Sequence, residues 1–159
     1  MKRLAIAVSI LAIGAAGCGS STPTTPSNLK IFTVALSAQN EVPPITNAES
    51  TARGTAVITI NSAANTIDFN VSLNSFPAGS TVNVAHIHPG AAGVGGGVFV
   101  STGLAAGQVT LTDGSGTFSF MQVPTSADRI AQILANPSNF YFNVHTTLNG
   151  GGAIRGQLQ

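Results

Sequence analysis

From residue 29 onward, apolar residues recur at every second position in short runs, and Gly, Pro, Asn, Asp and Ser clusters cut the runs apart. That period puts alternate side chains on opposite faces of an extended chain, whereas a helix would need apolar residues three and four apart. The clearest run is Thr66 to Leu73, where Ile67, Phe69, Val71 and Leu73 alternate with Asp68, Asn70 and Ser72. Thr51 to Ile60 repeats the pattern, and the Asn-Ser-Ala-Ala-Asn turn between them makes the two a hairpin. Lys30 to Ala38 alternates with apolar residues on both sides, so both of its faces are expected to be partly covered. Further strands are expected at Thr81–His88, Val98–Ser101, Gln108–Thr112, Gly116–Phe120, Phe140–Thr146 and Ala153–Leu158. Thr112-Asp113-Gly114-Ser115 is a hairpin signal between two of them. Only Ser126 to Asn136 has helical spacing: Ser126 caps it, Ile130, Ile133 and Leu134 form one stripe, and Asn136-Pro137 ends it. The expected fold is therefore all-β, a Greek-key antiparallel β-sandwich with one short helix.

The first residues follow a different logic. Lys2 and Arg3 precede an apolar run from Leu4 to Gly14, and Ala15-Ala16-Gly17-Cys18 closes it with small residues and the chain's single cysteine. The apolar run is too short to span a bilayer, which takes about 20 residues. Residues 1–17 are read as a lipoprotein signal peptide, with cleavage before Cys18 and lipid attached to its sulfur. Residues 18–28 continue as a Pro/Ser/Thr tether with nothing to bury, and residues 29–159 form the domain. The expected location is extracytoplasmic, anchored at the membrane through Cys18. That means the periplasm or the cell surface, on the outer membrane in a Gram-negative cell, since no aspartate follows the cysteine.

Beyond Cys18 the charges are few: Lys30, Arg53, Arg129 and Arg155 against Glu41, Glu49, Asp68, Asp113 and Asp128. No basic footprint for nucleic acid is present. Neither a Ser/His/Asp arrangement nor a pair of carboxylates suggests catalysis. Gly90 to Gly97 lacks the lysine and strand-to-helix context of a phosphate cradle, and its glycines predict a mobile loop.

The three histidines are concentrated in two segments, Val84-Ala85-His86-Ile87-His88-Pro89 and Phe142-Asn143-Val144-His145. On a strand, His86 and His88 point to one face about 6.6 Å apart. Were the strand carrying His145 to lie beside them, three neutral nitrogens would converge in a set suited to copper or zinc. Asn143 or backbone carbonyls would then hold the other ring nitrogens. Half-exposed or hydrogen-bonded structural histidines explain the same pattern without a metal, and both readings stand at this point. Arg155 lies on the face opposite Ile154 and Leu158. It either steers an anionic ligand or is a structural arginine, paired with an acid such as Glu41 or bonded to loop carbonyls. Tyr141 and Phe140 read as core or rim.

Three segments together resemble the CHRD domain, first named from chordin and found in bacterial secreted proteins. They are Leu36-Ser37-Ala38-Gln39-Asn40-Glu41-Val42-Pro43-Pro44, then Ala85-His86-Ile87-His88, then Tyr141-Phe142-Asn143-Val144-His145-Thr146 leading into Gly152-Ala153-Ile154-Arg155-Gly156-Gln157-Leu158. The resemblance implies a sandwich similar to immunoglobulin-like or copper/zinc superoxide dismutase domains. Dismutase activity is not expected, because three histidines leave nothing for the bridging and zinc positions of that enzyme. The leading expectation is a lipid-anchored, non-catalytic binding or structural module of the bacterial cell envelope, partnered by an envelope protein or extracellular ligand. The alternative is a copper- or zinc-binding protein using His86, His88 and His145.

Overall fold

The structure, a computed structural model, describes residues 27–159, so the signal segment, Cys18 and nearly all of the tether lie outside the described residues. Nine strands and one α-helix follow: β1 (Leu29–Ser37), β2 (Arg53–Asn61), β3 (Thr66–Asn74), β4 (Ser80–Pro89), β5 (Val100–Ser101), β6 (Val109–Leu111), β7 (Gly116–Pro124), α1 (Ala127–Ala135), β8 (Phe140–Thr146) and β9 (Ile154–Gln157). They form one antiparallel sheet ordered β5-β4-β8-β9-β1-β2-β3-β7, with β6 also on β4. The sheet curls so that the β4-β8-β9 half faces the β1-β2-β3-β7 half. Phe142 of β8 stacks on Phe69 of β3 at 5.7 Å between centroids. Every second residue of β2 and β3, and of β1 from Phe32 on, enters this core, including Phe32, Val34, Leu36, Ile58, Ile60, Ile67, Phe69 and Leu73. At roughly 2 kcal/mol per large side chain removed from water, this shared core supplies most of the drive to fold.

The two halves meet where β9 adjoins β1. Only Ser37 and Arg155 pair across this seam, and Asn40 Nδ2 donates to the Arg155 carbonyl at 3.0 Å. Gly156 makes the close approach feasible, since a Cβ there would meet the Ala35 carbonyl oxygen and Val34 Cγ1.

Three expectations from the sequence are corrected. The turn at 112–115 does not join a hairpin: β6 bonds to β4 and β7 to β3, so the turn passes from one half of the sheet to the other. Phe76 N–H donates to the Gly114 carbonyl at 3.1 Å, which fastens the turn to the segment before β4. With three residues, β6 is too short to fix a hairpin of its own. Second, β1 is buried on one face only, with Ile31 59% exposed beside buried Phe32. Third, Leu134 of α1 lies outside the buried stripe, which Ile130 and Ile133 form alone, while the Ser126 hydroxyl accepts from Arg129 N–H at the N-cap as expected.

At the far edge, β7 has a bulge. The register against β3 slips between Ile67 and Phe69, Gln122 takes φ 54°, and its N–H donates to Asp68 Oδ1 at 2.6 Å.

Candidate metal centre

Cross-strand partners share a face. The register pairs Val84 with His145, His86 with Asn143 and His88 with Tyr141, and then Asn143 with Arg155 and Tyr141 with Gln157. The alternate residues, Ala85, Ile87, Phe142 and Val144, are fully buried in the core. The outer face of β4, β8 and β9 therefore carries all three histidines together with Tyr141, Asn143, Arg155 and Gln157. A slip in the β4–β8 register between Val82 and Val84 sets this alignment.

Along the strands, His88 and the partner of His145 are four residues apart, about 13 Å of extended chain. Their rings nevertheless lie 5.6 Å apart, and both are within 5.4 Å of His86. Two loops tilt the outer rings inward. His88 Nδ1–H donates to the carbonyls of Gly96 and Gly97 at 3.1 and 3.0 Å, and His145 Nδ1–H donates to the Gly150 carbonyl at 3.0 Å. A carbonyl only accepts, so Nδ1 holds the proton in both rings and Nε2 keeps its lone pair.

The second loop is itself held by Glu49, almost fully buried, which accepts from Thr146 Oγ1 at 2.7 Å and Asn149 Nδ2 at 2.6 Å. The glycine-rich loop expected to be mobile is likewise fixed. Gly96 N–H donates to Tyr141 Oη, Arg155 Nη2 donates to the Ala91 and Val94 carbonyls, and Gln157 Nε2 donates to the Gly90 carbonyl. These bonds offset the entropy of its glycines.

One ring nitrogen from each histidine lies within 4.8 Å of the other two. His88 Nε2, His145 Nε2 and His86 Nδ1 are buried and have no hydrogen-bond partner. Leaving three such buried polar nitrogens unmet costs about 1–3 kcal/mol each. A metal at its usual 2.0–2.1 Å from each nitrogen needs them about 3.5 Å apart, so the rings would close in by roughly 1 Å. Burial is the main cause that lowers all three imidazole pKa values, and His86, pushed down further by its two neighbours, reaches about 4. The rings are thus neutral near pH 7, the state that binds metal. His86 is only half-buried, so the centre opens to solvent on its side.

Arg155 and Glu41 come together beside this centre. Both line a cleft of about 690 Å³ where β9, the segment after β1 and the glycine-rich loop meet. Arg155 bonds to loop carbonyls, the second of the two structural roles anticipated for it. Its guanidinium also lies 3.5 Å above the Tyr141 ring, and Tyr141 stacks on His88 at 5.0 Å with only 10° between planes. Burial raises the Glu41 carboxyl to about 7 against the lowering pull of Arg155 and the Asn143 hydrogen bond. Asn143 Nδ2 and Glu41 Oε2 lie side by side against Gly152, and the ring-holding groups are backbone carbonyls. Tyr141 had a signal, since it alternates with Asn143 and His145 on one face. The carbonyls of Gly96, Gly97 and Gly150 had none, because a backbone acceptor has no residue type.

Among curated proteins and solved structures, no relative matches the chain. The family model of the CHRD domain matches residues 32–158, which include all three histidines and every strand apart from the first three residues of β1. The chain belongs to the CHRD domain family.

Proposed function

We propose that this CHRD domain is a non-catalytic metal-binding module, holding one copper or zinc ion on His86, His88 and His145, tethered outside the cytoplasm through a lipid on Cys18. The observation that carries the metal reading is the cluster of three imidazoles, each with one nitrogen within 4.8 Å of the other two and each with a buried, unpartnered ring nitrogen, while the opposite nitrogen of His88 and of His145 is tied to a carbonyl. Structural histidines would have those nitrogens hydrogen-bonded. The backbone carbonyls supply the outer support that metal-ligating imidazoles require. The anchoring reading is supported by the Lys2-Arg3 start, the short apolar run and the lone Cys18.

Calorimetric titration of the purified protein with copper and with Zn(II) tests the metal reading. One-to-one binding that His145→Ala abolishes is the expected result, and affinity unchanged in that variant would refute it. Labelling of cells with radioactive palmitate tests the anchor: Cys18→Ser is expected to lose the label, and a labelled variant would refute lipidation there.

A further inference from the structure

We infer that the three-histidine site selects monovalent copper, Cu(I), over Zn(II) and Cu(II), an inference that rests on the metal-binding reading above. The first ground is charge. Among the described residues the ligand group consists of histidines alone, without a carboxylate or thiolate. The two buried acids of this region stand outside the ligand group: Glu41 lies beside Arg155 and Asn143, and Glu49 accepts from Thr146 and Asn149. An ion held by neutral nitrogens keeps its full charge in a largely buried place. The cost of removing an ion from water grows as the square of its charge, so a divalent ion meets about four times the penalty of a monovalent one.

The second ground is Arg155. It is 2% exposed, and its Nη2 donates to the neutral acceptors Ala91 O, Val94 O and Gln157 Oε1. Through Tyr141 its charge stands close behind a ligand. The two stacked contacts are 3.5 Å and 5.0 Å, placing the guanidinium within about 9 Å of the His88 ring. Repulsion from this cation is twice as large for a divalent ion as for a monovalent one.

The third ground is ligand number. Zn(II) takes four ligands, so here it would have to complete its shell with a water on the open His86 side. Cu(I), with a filled d shell and low charge, is satisfied by three nitrogens around it. The nearly equal ring separations of 5.2, 5.4 and 5.6 Å present three ligands evenly about one point.

The test uses the full chain carrying Cys18→Ser, which removes the only thiol and with it a competing Cu(I) ligand. Cu(I) affinity is measured under anaerobic conditions with ascorbate by competition with bathocuproine disulfonate. Zn(II) and Cu(II) affinities come from competition with chromogenic chelators. The expected result is one-to-one Cu(I) binding at least about a hundredfold tighter than either divalent ion, lost in His86→Ala. Zn(II) or Cu(II) binding as tight as Cu(I) would overturn the inference and leave the metal-binding reading intact; binding of none of the three overturns both. Arg155→Gln is expected to move the balance about tenfold toward Cu(II), about 59 mV in the one-electron potential, with Arg155→Lys restoring it. A balance unchanged in Arg155→Gln removes Arg155 from the account. If circular dichroism shows that variant unfolded, the three-ion comparison on the parent protein alone decides.

Discussion

Replacing Glu41 with Gln should change how stability responds to pH, and by an amount set by the burial of that carboxyl. Glu41 is 7% exposed, and its pKa rises from 4.5 in an open chain to about 7 in the fold. Below about pH 4.5 both folded and unfolded chains hold the proton, and Glu41 imposes no pH dependence. Between 4.5 and 7 the unfolded chain releases it and the folded chain does not, so stability falls as pH rises. At 1.36 kcal/mol per pKa unit the full loss approaches about 3 kcal/mol, and residual solvent screening brings the expected figure to about 2 kcal/mol.

The histidines act in the opposite sense over an overlapping range. Their folded pKa values are lowered, His86 to about 4, so the unfolded chain takes up protons first and stability falls as pH drops below 6.5. In the parent protein the two trends partly cancel between pH 4.5 and 6.5; in Glu41→Gln only the histidine limb remains. Urea unfolding should be followed by circular dichroism, since the chain has no Trp, with a chelator present, at pH 4.5, 6, 7.5 and 9. The stability difference between variant and parent should grow by about 2 kcal/mol in the variant's favour from pH 4.5 to 7.5 and then level off. A constant offset across the series would refute the assignment, because a lost hydrogen bond or altered packing shifts stability without a slope.

Phe142→Ala should cost about 3–5 kcal/mol in the same urea assay, because it empties the contact with Phe69 that joins the two halves of the sheet. Gly156→Ala should cost at least about 2 kcal/mol, since its Cβ meets the Ala35 carbonyl oxygen and β9 cannot retreat without opening the seam. Ser126→Ala should cost about 1 kcal/mol through loss of the cap on α1, read from thermal unfolding; a change near zero would mean that tertiary packing alone holds that helix.

The strands were legible because burial on one face writes a period of two into the sequence: Ile67, Phe69, Val71 and Leu73 name their own face. The histidine face was legible for the same reason, since His86 and His88 share a parity on β4, as Tyr141, Asn143 and His145 do on β8. The pairing of those two strands, and the register slip that puts Val84 opposite His145, depend on contacts distant in sequence, and no local pattern encodes them. The destination of Thr112–Ser115 was hidden likewise, because a turn signal marks where the chain bends and not which strands it then meets. Nor did composition reveal that Gly90–Gly97 is fastened. Its anchors are its own backbone groups, gripped by side chains from β4, β8 and β9.

The bulge in β7 bears on how copies of this chain meet one another. An edge strand is a row of unpaired backbone donors and acceptors, ready to pair with the same edge of a neighbouring molecule and begin an aggregate. At Gln122 the left-handed backbone interrupts that row, and its amide turns inward to Asp68 Oδ1 of β3. At the opposite end, β5 has only two residues and β6 three, too few to template a strand. The bulge at one end of the sheet and the short strands at the other each shorten the edge open to strand addition.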